Sequence, residues 1–323
     1  MYFNKYNNFF HGIMFHHFHD GIDYRKSDGS IDRDDLYKLI KFIGKKNILD
    51  ANDFYLRLKK KKLKKNHLCL TFDDSLKSQY DIALPVVEDL NIKSFFFVYS
   101  SALTKKPDFL EIFRHFRTNY FDNNDHFYKN FLKICINLID KRKINSFLKK
   151  NEEEIKKWKV KFPFYSLDDI KFRFIRNKFL SRKNYKRIML TMFNENNFDY
   201  KLECKNLFLS TNNVKKLSKL GHIIGLHSHN HPIMIEKKSS HIQKNEYKNN
   251  KKFLEKIINK KIFSMSHPFG SYNEITLKIL SKLNIDIGFK QTLRVDEKLK
   301  KINNSVLEIA REDHSNIMSR IEK

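Results

Sequence analysis

Apolar residues along this chain fall into short blocks separated by amphipathic stretches. His11–Phe18 is the first block, apolar and histidine-rich, and reads as an opening strand. Leu36, Leu39, Ile40 and Ile43 then recur at helical spacing, which predicts a helix over Asp32–Ile43 with Gly44 at its C′ position. A second helix is expected over Asp50–Leu58. His67–Phe72 (HLCLTF) reads as a buried strand that runs into Asp73-Asp74. Tyr80–Leu90 has helical spacing, and Pro85 is expected to kink it because it lacks an N–H and its ring crowds the preceding turn. Lys93–Tyr99 (KSFFFVY) is short and aromatic, as a strand prefers. Strand, helix, strand in this order is a βαβ unit, and such units build a parallel sheet or barrel.

The same rhythm returns later in the chain. It predicts a helix over Thr211–Leu220, capped by Ser210 or Thr211, and a strand over His222–Leu226. A helix over His241–Ile258, a strand over Phe263–Ser266, a helix over Asn273–Leu283 and a strand over Ile285–Phe289 follow. Val306–Ala310 is the expected last strand. Residues 105–205 break the rhythm: they are rich in Phe, Lys and Asn, with helical spacing at Phe127, Phe131, Ile134 and Leu138, and they hold Trp158, the only tryptophan. They read as a mainly helical insertion, either a lid or subdomain or a segment packed on the outside. The expected organisation is therefore 1–104 and 206–323 as two parts of one α/β barrel, interrupted by 105–205.

Composition narrows this picture. A length of 323 residues fits about two domains or one barrel-sized domain. Hydrophobic residues make up 41%, including 30 Phe, so a large core can form and a disordered chain is excluded despite 31% charged residues. The net charge is +27. Only 13 of the 64 basic residues are Arg, leaving 51 Lys. Surfaces that grip phosphate lean on the bidentate Arg fork, so the excess reads mainly as solvated Lys faces in a compositionally biased chain. Attraction to an anionic substrate, a membrane surface or nucleic acid is the functional alternative. The densest run, Lys59–Lys65, precedes a strand and reads as a connecting loop. Cys69, Cys135 and Cys204 are far apart and form no CxxC pair, which fits buried thiols in a reducing compartment. No apolar run approaches the roughly 18 residues of a membrane span, and the first residues lack a signal-peptide pattern. A cytoplasmic location is the expectation.

Two clusters can carry chemistry. Thr71-Phe72-Asp73-Asp74 ends an apolar strand, where parallel α/β folds collect their catalytic groups. Alone, the acid pair also fits a solvated turn or a helix cap. His227-Ser228-His229-Asn230-His231-Pro232 follows the apolar run GHIIGL. His227 and His231 share a side on a helical turn; His227, His229 and His231 share one on an extended segment; Pro232 opposes a long helix. Two imidazoles and a carboxylate make a three-ligand metal site with open positions, and the second carboxylate is then free to act as a base.

These motifs resemble the polysaccharide deacetylases, with their NodB homology domain. The resemblance rests on LTFDD (Leu70–Asp74), on HSxxH (His227–His231), on SHPFGSYN (Ser266–Asn273) and on the opening His16-His17. It spans about residues 10–100 and 210–315. It implies a deformed parallel (β/α) barrel and metal-dependent removal of acetyl groups, usually N-acetyl, from sugars. Asp74, His227 and His231 would hold a divalent metal, zinc foremost, with cobalt, nickel and manganese as alternatives. Asp73 would be the general base, and Pro268, Phe269 and Gly270 would meet the substrate. Ser75 departs from the usual Gly, and the third block lacks the Arg of many members, with Ser264 and His267 nearby. The chain ends on Ile309-Ala310-Arg311-Glu312-Asp313-His314 in place of a Leu-x-His block. Arg311 is expected either to support Asp73 or to pair on the surface. The acid that protonates the leaving amine is sought among His314, His16, His17 and His267.

The resulting expectation is a carbohydrate N-deacetylase acting on an acetylated sugar, as a precursor of surface glycan that is nucleotide- or lipid-linked, with peripheral membrane contact and no specific nucleic-acid partner. The alternatives are an O-acetyl carbohydrate esterase and a non-catalytic polyanion-binding protein on a decayed enzyme fold.

Overall fold

The computed structural model of the protein describes residues 2–3, 7–104, 109–161, 165–295 and 301–322. The chain divides into two compact units: the residues up to 108 together with those from 205 onward, and Phe109–Cys204.

The first unit is built on seven strands: β1 (His11–Phe15), β2 (Leu68–Phe72), β3 (Phe95–Val98), β4 (Ile223–Leu226), β5 (Ser264–Ser266), β6 (Ile287–Phe289) and β7 (Arg311–Asp313). All pair in parallel, in the order β6-β5-β4-β3-β2-β1-β7. The two edges meet just before β7: Ile309 bridges Phe289, its N–H donating to Gly288 O and its carbonyl accepting from Lys290 N–H, both at 2.9 Å. The sheet therefore nearly closes into a barrel, as the alternating pattern implies.

Strand alternation sorts the core into two layers. Leu68, Leu70 and Phe72 of β2, with Phe96 and Val98 of β3, point out into the layer shared with the helices. Cys69, Phe95, Phe97, Ile287, Phe289 and Ile309 form a separate cluster. Since β6 lies far from β2 and β3 in the sheet order, that cluster fills the barrel interior. Helix starts follow local chemistry: Asp32, Ser210, Ser239 and Asn273 each cap a helix by accepting a backbone N–H in the first turn.

Three expectations need correction. Val306–Ala310 is not the last strand; the pairing with β1 begins one residue later, at Arg311 opposite Gly12. The apolar pattern misplaced it because β7 reads Arg-Glu-Asp and its first two residues are nevertheless buried. The kink expected at Pro85 is a widened π turn over Gln79–Ala83, continued as an α-helix over Leu84–Asp89. The opening strand also stops at Phe15, which leaves His16 and His17 beyond its end.

Gly225 shows how tightly the interior is filled. A Cβ there would lie 2.5 Å from the Phe97 ring and 2.6 Å from Ser264 Oγ. Phe97 cannot retreat, because Phe95 and Phe289 pack against it with ring centroids at 5.8 and 5.4 Å. Gly225→Ala is expected to cost about 1–3 kcal/mol, read as a lowered thermal midpoint. An unchanged midpoint would mean that the barrel repacks.

Phe109–Cys204 is mainly helical, with helices over Phe109–Asn119, Asn124–Leu138, Lys141–Lys150, Glu152–Lys161, Leu167–Phe174 and Arg182–Glu195 joined by short turns. The expected start of the helical segment, at residue 105, lies outside the described residues. Asn123, Asp140, Ser166 and Ser181 cap four of these helices. Trp158 packs edge-on against Phe174, beside Ile155 and Ile170.

Candidate metal centre

The C-terminal ends of β2 and β4 bring the two sequence clusters together. Asp73 N–H donates to Phe15 O at 3.1 Å, prolonging the β1–β2 pairing by one residue. The next two residues, Asp74 and Ser75, turn sharply with φ of 73° and 60°. That left-handed backbone explains why a glycine usually follows the acid pair. Ser75 occupies it at a steric cost of about 1–2 kcal/mol, and its buried Oγ accepts the Tyr99 N–H at 3.1 Å. Gln79 Nε2 ties the strand ends by donating to Asp73 O and His16 O, at 2.5 and 2.8 Å.

The histidine loop is held from below. His227 N–H donates to Asn250 Oδ1 at 3.0 Å, and Asn250 Nδ2 donates to Val98 O at 2.9 Å. Ser228 and His231 are both left-handed, with φ of 63° and 52°, and Ser228 Oγ accepts the His231 N–H at 3.1 Å. This turn decides between the two sequence options: His227 and His231 converge, and His229 does not join them. The His229 ring bonds to Ser100 Oγ at 2.7 Å, and Glu246 accepts the N–H groups of His229 and Asn230.

Asp74 Oδ1 lies 3.2 Å from Nε2 of both His227 and His231. The three potential ligand atoms lie within 4.8 Å of one another, and all three residues are buried. His227 Nδ1 faces Ser266 O at 3.0 Å. A carbonyl only accepts, so Nδ1 carries the proton and Nε2 is left with a lone pair directed at Asp74. Two neutral imidazole nitrogens and one carboxylate oxygen fit a divalent cation of the zinc type. Tyr99 and Phe269 wall the site, with ring centroids 5.0 and 4.6 Å from His231. Burial opposes the charge on Asp74, but the imidazoles of His231 and His227 beside it outweigh burial and hold the carboxyl well below the ordinary range.

Asp73 lies behind this cluster, 2% exposed, in a bidentate pair with Arg311: Nη1 to Oδ1 at 2.8 Å and Nη2 to Oδ2 at 2.7 Å. Ser266 Oγ donates to Oδ2 at 3.1 Å and accepts from Arg311 Nη2 at 2.7 Å. The remaining Arg311 donors reach Thr71 Oγ1 and Lys290 O, so every N–H of the guanidinium has an acceptor. The absent side chain of Gly12 leaves room for it, since a Cβ there would meet the Arg311 stem at 3.1 Å. Burial raises the Asp73 carboxyl, and the charge and hydrogen bonds of Arg311 more than offset this, so it sits below the usual value. The structure thus places Arg311 on Asp73, not on the surface. Ser266, read in the sequence only as part of SHPFGSYN, is the residue missed. Its place at the inward end of β5 was the available signal.

The four candidate acids separate. His314 is buried, and its two ring nitrogens face Met14 O and Gly29 O at 3.2 and 3.0 Å. His267 is 1% exposed, its Nε2 bonded to Leu307 O at 2.9 Å, and burial pushes its pKa down to about 3. His16 is part-exposed and its Nε2 lies 3.9 Å from Asp74 Oδ2, while His17 stacks on it at 6.1 Å. Pro268–Gly270 forms a tight turn with Phe269 and Gly270 at φ of 55° and 65°. Phe269 and Gly270 line an open cleft of about 520 Å³ with Tyr272, Lys290 and Asp313.

Residues 178–288 match the family model described as polysaccharide deacetylase, a span that contains His227, His231 and the Pro268–Gly270 turn but not Asp73 and Asp74. No curated protein sequence matches the chain. Among solved structures, the Streptococcus pyogenes deacetylase PplD in complex with acetate is 16% identical, with a TM-score of 0.54 over 97% of this chain and 98% of that one. IcaB from Ammonifex degensii is 11% identical, with a TM-score of 0.56 over 98% of each chain. A de-N-acetylase from Aggregatibacter actinomycetemcomitans is 13% identical, with a TM-score of 0.54 over 97% of this chain and 99% of that one. The chain is thus a (β/α) barrel of the polysaccharide deacetylase type, matched to that family in sequence over residues 178–288 and similar in fold to solved deacetylases over nearly its whole length.

Proposed function

We propose that this protein is a metal-dependent hydrolase that removes N-acetyl groups from a carbohydrate. The family match supports the broader statement, a hydrolase acting on acetyl groups of carbohydrate. The observation that carries the finer reading is the convergence of Asp74, His227 and His231 beside an Asp73 fixed by Arg311. The de-N-acetylase among the structural neighbours supports the choice of amide over ester.

Asp74, His227 and His231 would hold the cation. When bound, it supplies a Lewis acid that acidifies water and offsets negative charge developing on oxygen. Asp73 takes the proton of the attacking water on a carboxylate oxygen that Arg311 and Ser266 hold in one orientation. His16, on the part-exposed side of the cluster, is assigned the return of a proton to the leaving nitrogen. His314 is not given that role, because both of its nitrogens face main-chain carbonyls. Tyr99 and Phe269 flank the site with apolar surface that limits water around the scissile group.

The test is acetate release. Protein loaded in turn with zinc, cobalt, nickel or manganese is incubated with matched N-acetyl and O-acetyl sugars. Faster release from the amide than the esterase alternative allows, and only with metal, is the expected result. Metal-loaded protein that releases no acetate from either series would remove the hydrolase reading. Release from the ester alone would replace it with the esterase.

A further inference from the structure

We propose that the helical unit binds a phosphate group, free or carried on a larger ligand, between Arg117, Arg176, Tyr128 and Tyr185. Arginine is scarce in this chain, yet seven of its 13 residues fall between positions 109 and 204. Lysine serves where solvated charge suffices. The planar fork matters where a guanidinium must bind an oxyanion in a fixed geometry.

Asp169, Arg173 and Arg176 follow one another at i, i+4 and i+7, along the helix Leu167–Phe174 and the wide turn Ile175–Phe179. Arg173 takes the buried Asp169: Nε reaches Oδ1 at 2.7 Å and Nη2 reaches Oδ2 at 3.3 Å. That pair is internally neutral. Among the described residues no carboxylate forms an ion pair with Arg176; its Nε donates to the neutral Asn177 Oδ1 at 2.8 Å, its guanidinium lies 5.2 Å from the Phe172 ring, and it hydrogen-bonds Tyr185. Tyr128 and Tyr185 gather on the same ring, with centroids at 5.1 and 6.5 Å.

Arg117 comes from the helix Phe109–Asn119. It is half-buried, and its Nε is fully buried with no acceptor. The Tyr128 hydroxyl is also buried, 1% exposed, and burial and the neighbouring Asp169 carboxylate both raise its pKa. The fields of these groups overlap. The Arg117 charge acts on Tyr128, Tyr185 and Arg176, and burial together with Arg173 and Arg117 holds Arg176 below its ordinary pKa.

A cluster of three guanidiniums and one carboxylate in a half-buried setting is unfavourable by itself. Like charges repel, and each unmet donor loses its water without a replacement. An anion relieves both at once. A tetrahedral oxyanion fits best, because it offers several acceptors at once to the guanidinium forks of Arg117 and Arg176. A cation would be repelled.

The experiment uses the full chain, in chloride and in phosphate buffers of equal ionic strength, with thermal melting and titration calorimetry. Inorganic phosphate and a sugar phosphate are separate arms. The expected result is a raised melting midpoint and one binding event per chain. Tighter binding of the sugar phosphate identifies a carried phosphate group, and equal binding identifies free phosphate. Arg117→Gln and Arg176→Gln should each raise the phosphate-free midpoint, by relieving repulsion, and weaken phosphate binding at least tenfold. Arg176→Lys keeps the charge and loses the fork, so it should weaken binding with no gain in midpoint. No binding of either ligand, or binding unchanged in both Gln variants, would overturn the site. Because the readout is binding, it stands or falls separately from acetate release.

Discussion

Asp74→Ala is expected to abolish metal uptake and acetate release together while the fold persists. Asp74 is the hub of the cluster, since its Oδ1 is 3.2 Å from both imidazole Nε2 atoms. Without it, two neutral nitrogens remain, with no negative ligand to hold a doubly charged cation against water. Wild-type protein equilibrated with one equivalent of zinc and then dialysed should retain close to one ion per chain. The variant should retain less than about a tenth of that, and turnover should fall by at least about a thousandfold, the scale of losing Lewis-acid stabilisation. His227→Ala should behave in the same way. His229→Ala is the informative control: although it lies in the same motif, its ring bonds to Ser100, so metal retention should be unchanged. Stoichiometric zinc in Asp74→Ala, or its loss in His229→Ala, would refute the ligand assignment.

The contrast between His229 and its neighbours marks how far the sequence could be read. The segment HSHNH announces metal chemistry, but which two imidazoles converge depends on left-handed backbone at Ser228 and His231, and short-range pattern does not encode it. The strands β2, β3 and β4 were legible because their apolar runs answer to local burial. β7 was not, because Arg-Glu-Asp resembles surface until its partners are known. Arg311 is neutralised by Asp73, 238 positions earlier, while Glu312 pairs with Arg320 and accepts the Tyr2 hydroxyl. The acid was not legible for a related reason. His314 follows β7 directly and so looks close to the site, but the helix that begins at His314 turns its ring onto Met14 O and Gly29 O. The net charge of +27 was least informative of all, since its sum hides both the single buried guanidinium of the barrel and the arginine cluster of the helical unit.

Arg311→Met should destabilise the protein by about 3–5 kcal/mol, the usual penalty for removing one partner of a buried ion pair. Methionine keeps the length of the stem and most of its packing, so the loss isolates the charge. Asp73 would then be 2% exposed with no cation behind it, and Ser266 Oγ, Thr71 Oγ1 and Lys290 O would each lose a donor. For a barrel of this size the thermal midpoint should fall by about 10 °C. Activity should fall as well, because a carboxyl without Arg311 is driven toward its protonated form and can no longer accept a proton from water. Asp73→Asn makes the reciprocal cut. It leaves the metal ligands in place, so zinc should still bind, but turnover should be lost along with several kcal/mol of stability, since Arg311 is then buried without an anion. The decisive variant combines the two. With both charges gone, nothing buried is left uncompensated, and the double mutant should recover much of the stability that each single mutant loses, with a coupling energy on the order of 2–4 kcal/mol, while remaining inactive. Recovery of stability without recovery of turnover separates the structural work of the pair from the proton transfer assigned to Asp73. Additive losses in the double mutant would show that Arg311 and Asp73 act independently, and appreciable turnover in Asp73→Asn would move the base to another residue.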